Sequence, residues 1–242
     1  MSDDVNLSGS LGAGAHISAV PDLRYSFTAQ FLRGAAFFAQ RARKIEDAAG
    51  HAADENTKYE HRAYVVATIM QSVAALEAEV SEICLHGPGH HLGSNGIDQV
   101  ARDFLHPLLE MIDRQETLRR YDLVLHLLKK PGLDKGVQPY QDTDLLVKLR
   151  NELVHYKSRW GQEMERQKLF KRLEQLRFEN PPFIPYQGTN FFPHQLLSSS
   201  CACWTVSTTT EFISTFYSLL GVPSPLEPHK EGLSVPPIRY RK

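Results

Sequence analysis

Residues 57–86 read TKYEHRAYVVATIMQSVAALEAEVSEICLH, and this stretch decides the fold. Its apolar and aromatic residues occupy the a and d positions of four successive heptads, and only Arg62 interrupts the stripe: Tyr59, Val66, Ile69, Val73, Leu76, Val80 and Ile83. The sequence Gly87-Pro88-Gly89 follows, with residues that end helices. The pattern predicts one long helix that forms the seam of a helical bundle.

Helical periodicity continues on both sides of this stretch, and no internal repeat is present. We expect further helices over about 22–48, 97–113, 115–130, 141–158, 162–177 and 193–220. The first should open with Asp22 as its cap and bury one apolar stripe: Phe27, Phe31, Ala35 and Phe38. Prolines make 178–192 extended. The predicted class is therefore all-α.

Both ends of the chain differ in composition from the middle. Residues 1–21 are rich in Gly, Ser and Ala, which favours a flexible N-terminal segment. Residues 221–242 form a Pro-rich basic tail in which the prolines oppose regular structure. The 242 residues suit a single core, so we assign one helical domain to 22–220.

Composition indicates a soluble cytoplasmic protein. Hydrophobic residues make up 42% and charged residues 23%, and the net charge of -1 gives no general attraction to nucleic acid. Three cysteines cannot form a closed disulfide set. The N-terminus lacks the basic and apolar regions of a secretion signal, and no apolar run reaches the roughly 20 residues that span a bilayer. We expect no membrane contact.

The helix predicted at 141–158 combines an apolar face with a polar one. At about 100° per residue, the core sector holds Leu146, Leu149, Leu153 and Tyr156. Asn151 and His155 lie one above the other on nearly the opposite side, and Arg150 projects from the flank between them. These three side chains should therefore lie outside the core.

Two valines on this outer face predict a second buried contact. Val147 and Val154 lie beside Asn151 and His155, where a lone surface helix should be polar. A symmetric homodimer through Val147 and Val154 would bury them, and it would bring two copies of Arg150 and His155 into one cleft.

The string Leu149-Arg150-Asn151-Glu152-Leu153-Val154-His155-Tyr156 resembles the signature of HEPN domains, in which Arg and a polar residue are followed by His four to six residues after the Arg. The run Ala74-Ala75-Leu76-Glu77 resembles the first core helix of that family. Spacing alone is unspecific, because Arg119 and Arg120 also precede His126 at similar distances. Asn directly after Arg makes the first match more specific.

The resemblance implies a fold and an activity. Catalytic HEPN domains are up-and-down helical bundles that dimerise and cut RNA without metal or cofactor, so Arg150, Asn151 and His155 become the expected catalytic residues. The N-terminal helix, the loop near 87–96 and the stretch 159–192 would be extra elements and extended loops. The resemblance also implies a toxin or antiphage-defence setting, with an antitoxin or regulatory protein as a possible partner.

The implied chemistry suits these residue types. The 2'-hydroxyl of RNA is the nucleophile, and His155 can accept or supply a proton near neutral pH. Arg150 can hold the phosphate with its planar donor fork, and Asn151 can position His155 or a phosphate oxygen. The expected function is a metal-independent endoribonuclease that leaves 2',3'-cyclic phosphate ends.

Other functions remain open on the sequence. The same face suits a non-catalytic dimerisation or interaction module that binds a partner protein or a nucleotide. A zinc site would use residues in or near the Gly-rich loop, but their spacing matches no closed site: Cys84, His86, His90, His91 and Asp98. Trp160, just beyond the motif, is a weak candidate for stacking on an RNA base. Basic residues near the motif are interleaved with glutamates, so they suit an RNA-tracking surface or a solvated helix.

Overall fold

Helices form most of the described part of the protein. A computed structural model describes residues 26–92, 98–157 and 167–241. The α-helices in these ranges are α1 Thr28–Ala49, α2 Glu55–His86, α3 Gln99–Leu105, α4 Leu109–Asp113, α5 Thr117–Leu127, α6 Tyr140–Val154, α7 Lys168–Gln175 and α8 Ser199–Leu220. The described ranges contain no strand, and a single antiparallel bridge joins Phe178 to Tyr240. The all-α prediction is confirmed.

Helix α2 is the central element of the bundle, and α1 and α8 pack along it. Asp54 caps its start, where Oδ1 accepts a hydrogen bond of 2.7 Å from the Thr57 amide. Gly87, at φ 83°, ends it. Most of the predicted heptad residues are fully buried, but Tyr59 is 66% exposed and Val66 is partly buried. The seam therefore begins about two turns later than the heptads predict.

Helix α1 buries a stripe of small residues instead of the predicted phenylalanines. Its fully buried apolar residues are Leu32, Ala35, Ala36, Ala39 and Ala42. A Cβ added at Gly34 would clash with the side-chain amide of Gln71 on α2, so glycine leaves room for that amide. Small residues line the buried face, whereas Phe27 stays exposed. The predicted start of this helix, with its cap Asp22, lies outside the described residues.

The remaining helix predictions were right in type and wrong in length. The segment 97–113 divides into α3 and α4, because a short 3-10 turn at His106–Leu108 contains Pro107. The predicted helix at 162–177 is described only from Lys168, where α7 begins. The prediction of a helix ending at 220 is confirmed by α8, which begins at Ser199 after a π-helical turn at Phe191–Gln195.

The Pro-rich C-terminal segment lies on the bundle. A 3-10 turn spans Glu227–Leu233, which corrects the expectation of no regular structure there. Leu226 and Leu233 are buried in the core. Arg43 Nη2, on α1, donates to the Pro237 carbonyl oxygen at 3.1 Å. Residues 1–21, expected to be flexible, lie outside the described residues.

Helix α2 is the one described helix that is long and apolar enough to cross a membrane. Half of its most apolar 18-residue stretch is buried inside the protein. A core helix of a soluble bundle has the same length and composition, and the packing of α1 and α8 along α2 matches that alternative.

A carboxyl group lies inside the part of the bundle where α2 meets α8. Glu79 is fully buried and accepts a hydrogen bond from the Tyr217 hydroxyl. Burial raises the pKa of Glu79; Tyr217 and His90 oppose that rise, and the charge of Glu82 adds to it. The folded protein therefore favours the protonated form of this side chain.

Replacing Glu79 by Gln should remove a pH dependence of stability. Because the folded pKa is raised, the carboxyl contributes its stability below its ordinary pKa of 4.5 and loses it as the pH rises. The free energy of unfolding of the wild type, relative to Glu79→Gln, should fall as the pH rises above 4.5. Thermal unfolding measures this, since 1 kcal/mol shifts the Tm of a chain this size by about 2–4 °C.

The matched control is Glu60→Gln, which changes an exposed glutamate on the same helix. This control should follow the wild type at each pH. If the stability of Glu79→Gln equals that of the wild type at every pH, the pKa of the buried carboxyl is not raised.

Candidate functional site

Arg150 connects three helices at the edge of the bundle. Its Nη2 atom donates to Glu77 Oε1 on α2, and Thr117 Oγ1 on α5 donates to the same oxygen at 3.2 Å. The Arg150 side chain is 20% exposed and that of Glu77 is 40% exposed. The guanidinium group is thus held at one position while it keeps access to solvent.

The packing of α6 explains why Arg150 points towards α2. Leu145, Leu146 and Leu149 are buried on the face that meets the core. Helices α2, α7 and α8 all contact α6, so the covered arc of this helix is wide. Arg150 lies at the border of that arc, where its aliphatic stem is covered and its charged end reaches Glu77.

A groove of about 430 Å³ lies beside this ion pair. Its lining includes Glu77, the start of α5, Lys135, and one face of α6 from Tyr140 to Asn151. Several of its charges are paired: Lys135 Nζ lies 2.6 Å from Asp122 Oδ2, and Lys148 Nζ lies 2.7 Å from Asp144 Oδ2. The volume is within the range of small-ligand pockets, and the lining is largely polar.

Asn151 lies beside Arg150 and also lines the groove. It is exposed, as the helical wheel predicts. Its backbone carbonyl accepts a hydrogen bond of 2.9 Å from the amide of His155, which closes the last turn of α6. The structure thus brings together Arg150, Asn151 and Glu77.

His155 lies just beyond the end of α6. The helix ends at Val154, and His155 has φ -104° and ψ 31°, so the predicted helix to residue 158 is too long. The imidazole is exposed and is not part of the groove lining. The hydrogen bond to Asn151 keeps His155 one turn from Asn151, at the open end of the site.

The two valines expected on the outer face differ in burial. Val147 is partly buried and packs against both halves of the core, so its part of the predicted second contact is made within the chain and not only by a second copy. It lies on the flank that faces α2 and α5, which a wheel with a single core direction cannot represent. Val154 is 51% exposed, and Tyr156 after it is also exposed.

The alternative motif pairs Arg119 or Arg120 with His126, and the structure excludes Arg120 from that role. Arg120 is buried, and its Nη2 donates to Ser81 Oγ at 2.6 Å and to Asp113. Those contacts fasten α5 to α2, so this guanidinium serves packing. Arg119 is exposed and lines the groove.

The proposed zinc ligands do not form a metal site in the described part of the chain. Cys84 is buried in the core, and burial raises the pKa of its thiol to about 12, so no thiolate forms at neutral pH. His90 Nε2 lies 3.3 Å from Glu82 Oε2. No group of three His, Cys, Asp or Glu side chains in the described ranges is arranged to hold a metal ion. Residues 93–97 and Trp160 lie outside those ranges.

Glu77 is the site residue that sequence reasoning did not assign a role. It lies 73 positions before Arg150, and nothing in the local pattern links the two. The sequence held only a weak signal for it, since Glu77 follows the buried Leu76 and is therefore about 100° away from it around the helix.

Comparisons of the chain with protein-family models, with curated proteins and with solved structures found no match. The candidate site is therefore defined by the residues and contacts of this chain.

Proposed function

We propose that this protein is a metal-independent endoribonuclease of the HEPN type, with Arg150, Asn151 and His155 as its catalytic residues. One observation carries the proposal: Glu77 and Thr117 hold the guanidinium of Arg150 beside Asn151, one turn before an exposed His155. A fixed cation, an amide and an imidazole are the groups that cleavage by the 2'-hydroxyl requires.

The reaction needs only proton transfers and support for charge. The 2'-oxygen attacks phosphorus and forms a new P–O bond while its proton passes to a base. The bond to the 5'-oxygen breaks, and that oxygen takes a proton from an acid. His155 is exposed and can act in either step, which leaves a 2',3'-cyclic phosphate and a 5'-hydroxyl.

Arg150 would neutralise the phosphate as charge builds on its oxygens. A guanidinium has five N–H donors in a planar fork and stays charged in any surroundings. The bond to Glu77 fixes the plane of that fork before RNA arrives, so little rotamer freedom is lost on binding. Asn151, beside it, would bind a non-bridging oxygen or orient the substrate.

A homodimer through the end of α6 would complete the site. Val154 and Tyr156 are exposed there, next to His155, and would be covered by a second copy. Two copies of His155 would then supply both the base and the acid. Val147 contributes less than the sequence predicts, because it already packs on the core. We also propose a cytoplasmic location and regulation by an antitoxin-like protein, on the resemblance alone.

The second candidate is a non-catalytic module that binds a nucleotide. The observation in its favour is that His155 does not line the groove that holds Arg150 and Asn151. Tyr140 and Lys148 line the same groove and suit a base and a phosphate. In that case Arg150 would bind ligand without any bond being broken.

Cleavage of RNA by the full chain in excess EDTA tests the catalytic proposal. We expect the wild type to cut and to leave cyclic-phosphate ends, and we expect His155→Ala to lose about 10²- to 10⁴-fold in rate. His126→Ala is the matched control, because His126 is exposed and belongs to the alternative motif. Equal rates for His155→Ala and the wild type would exclude His155 as a catalytic residue.

A charge change at Glu77 tests how Arg150 is positioned. A partly exposed ion pair contributes about 0–1 kcal/mol, so Glu77→Gln should lower kcat/KM by up to about fivefold. Single-turnover rates measure this effect. Glu116→Gln, which removes another carboxylate of the groove lining, should have little effect.

The double variant separates positioning from a structural role. In an Arg150→Ala background, Glu77→Gln should cause no further loss of rate, because the side chain that it orients is gone. An equal loss in both backgrounds would contradict a role through Arg150.

A further inference from the structure

The C-terminal segment and the chain after α7 pair to form a second surface. The amide of Glu179 donates to the Arg239 carbonyl at 2.9 Å, and the amide of Arg241 donates to the Arg177 carbonyl at 2.7 Å. The rings of Phe178 and Tyr240 stack with their centroids 6.3 Å apart. This short antiparallel pairing fixes Arg241 beside the segment that leads to α8.

Three hollows of the protein surface meet at Tyr186. The largest has about 700 Å³ and is lined by Arg177, Asn180, Tyr240 and Arg241 among others. The second, of about 350 Å³, extends towards the start of the pairing, and the third, of about 190 Å³, extends towards α8. Because Tyr186 lines all three, they adjoin at this side chain, and we call them together the Tyr186 groove.

Exposed aromatic rings and arginines are combined along this groove. Tyr186 and Tyr240 are each 57% exposed. The guanidinium carbon of Arg241 lies 5.3 Å from the centre of the Tyr186 ring, over its face. Tyrosine rings and guanidinium planes both stack on nucleobases, and guanidinium groups also bind phosphate.

The contact between Arg241 and Tyr186 is weak enough for a ligand to displace it. A cation–π contact at an exposed site contributes about 0.5–1 kcal/mol, whereas stacking of a base on an aromatic side chain contributes about 1–3 kcal/mol. A base that stacks on either ring would therefore be favoured over the contact that it replaces. Tyr240 has one face on Phe178, which leaves the other for a ligand.

Arginines and glutamates both line the groove. Glu174 and Glu179 also line it, but Glu179 interacts with Arg239, whose Nη1 also lies 2.8 Å from Asp47 Oδ1. Arg177 and Arg241 equal those two acids in number in the largest hollow, and their guanidinium groups are the lining groups that can bind a phosphate.

Helix α7 lies between the Tyr186 groove and the groove that holds Arg150. Glu174 of α7 lines the first, and Arg172 Nη1 lies 3.6 Å from Asp144 Oδ2, which lines the second. The two grooves thus lie on either side of one short helix, which carries basic residues. An extended peptide is a poorer match, because the backbone at 177–179 is already paired with residues 239–241.

We propose that the Tyr186 groove binds single-stranded RNA, with bases stacked on Tyr186 and Tyr240 and phosphates held by Arg177 and Arg241. RNA as the ligand rests on the proposed function, but binding here requires no cleavage. The groove would hold a part of the strand that lies away from the bond to be cut.

Binding of a fluorescent single-stranded RNA by the full-length His155→Ala chain in EDTA tests the proposal. Added Tyr186→Ala or Tyr240→Ala should weaken binding by roughly 5- to 100-fold. Tyr186→Phe should bind like its parent, because the ring is kept. Arg241→Glu should weaken binding and reduce the steepness of its salt dependence, since a phosphate contact is lost.

Matched controls are Tyr59→Ala and Arg114→Glu, which change an exposed tyrosine and an exposed arginine on other helices. Their affinities should equal that of the parent. Equal affinities for Tyr186→Ala, Arg241→Glu and the controls would overturn the proposal, and so would equal binding of duplex RNA, whose bases cannot stack on the groove. Circular dichroism on each variant confirms its fold.

The outcome also separates this site from the proposed nuclease activity. Cleavage by the wild type, together with binding that ignores Tyr186, would reject the groove and keep the nuclease. Binding that depends on Tyr186, together with intact RNA, would keep the groove and reject the nuclease.

Discussion

The burial of α2 is the constraint on which the rest of this structure depends. A helix of 32 residues with an apolar stripe must be covered along most of its length, and α1 and α8 supply that cover. With those two sides occupied, the polar border of α2 is left for α5 and α6. Glu77 lies on that border, so the seam of the bundle also determines where Arg150 can be held.

The sequence predicted elements that depend on one strong local pattern. The heptads gave α2, and near-helical spacing gave α8 despite its many Ser and Thr residues. It also placed Asn151 outside the core and Arg150 on a flank. It could not predict the ion pair with Glu77 or the packing of Val147, because both depend on which helices lie next to α6. A helical wheel assumes that one side of a helix faces the core, whereas α6 is contacted by several helices on different sides.

The C-terminal segment shows a different limit of sequence reasoning. Its prolines predict no regular structure, yet a 3-10 turn forms at Glu227–Leu233 and the segment packs on the bundle. Leu226 and Leu233 are buried, and the backbone near Pro237 and Arg239 finds partners on Arg43 and Ser200. Polar groups without regular structure are thus satisfied by side chains of the bundle. The same arrangement creates the Tyr186 groove from two segments far apart in sequence.

Arg120 and Arg150 both pair with a carboxylate, but Arg120 has more partners within the fold. Arg120 is buried and donates to both Ser81 and Asp113, so it connects α5 to α2 and to the end of α4. Arg150 pairs with Glu77 at a partly exposed position, where an ion pair adds about 0–1 kcal/mol to stability. The fold gains little from that pair, so its main physical effect is to orient the guanidinium beside Asn151 and His155. Orientation without much stabilisation is what a site for a phosphate group requires, because the charge must remain available to a ligand.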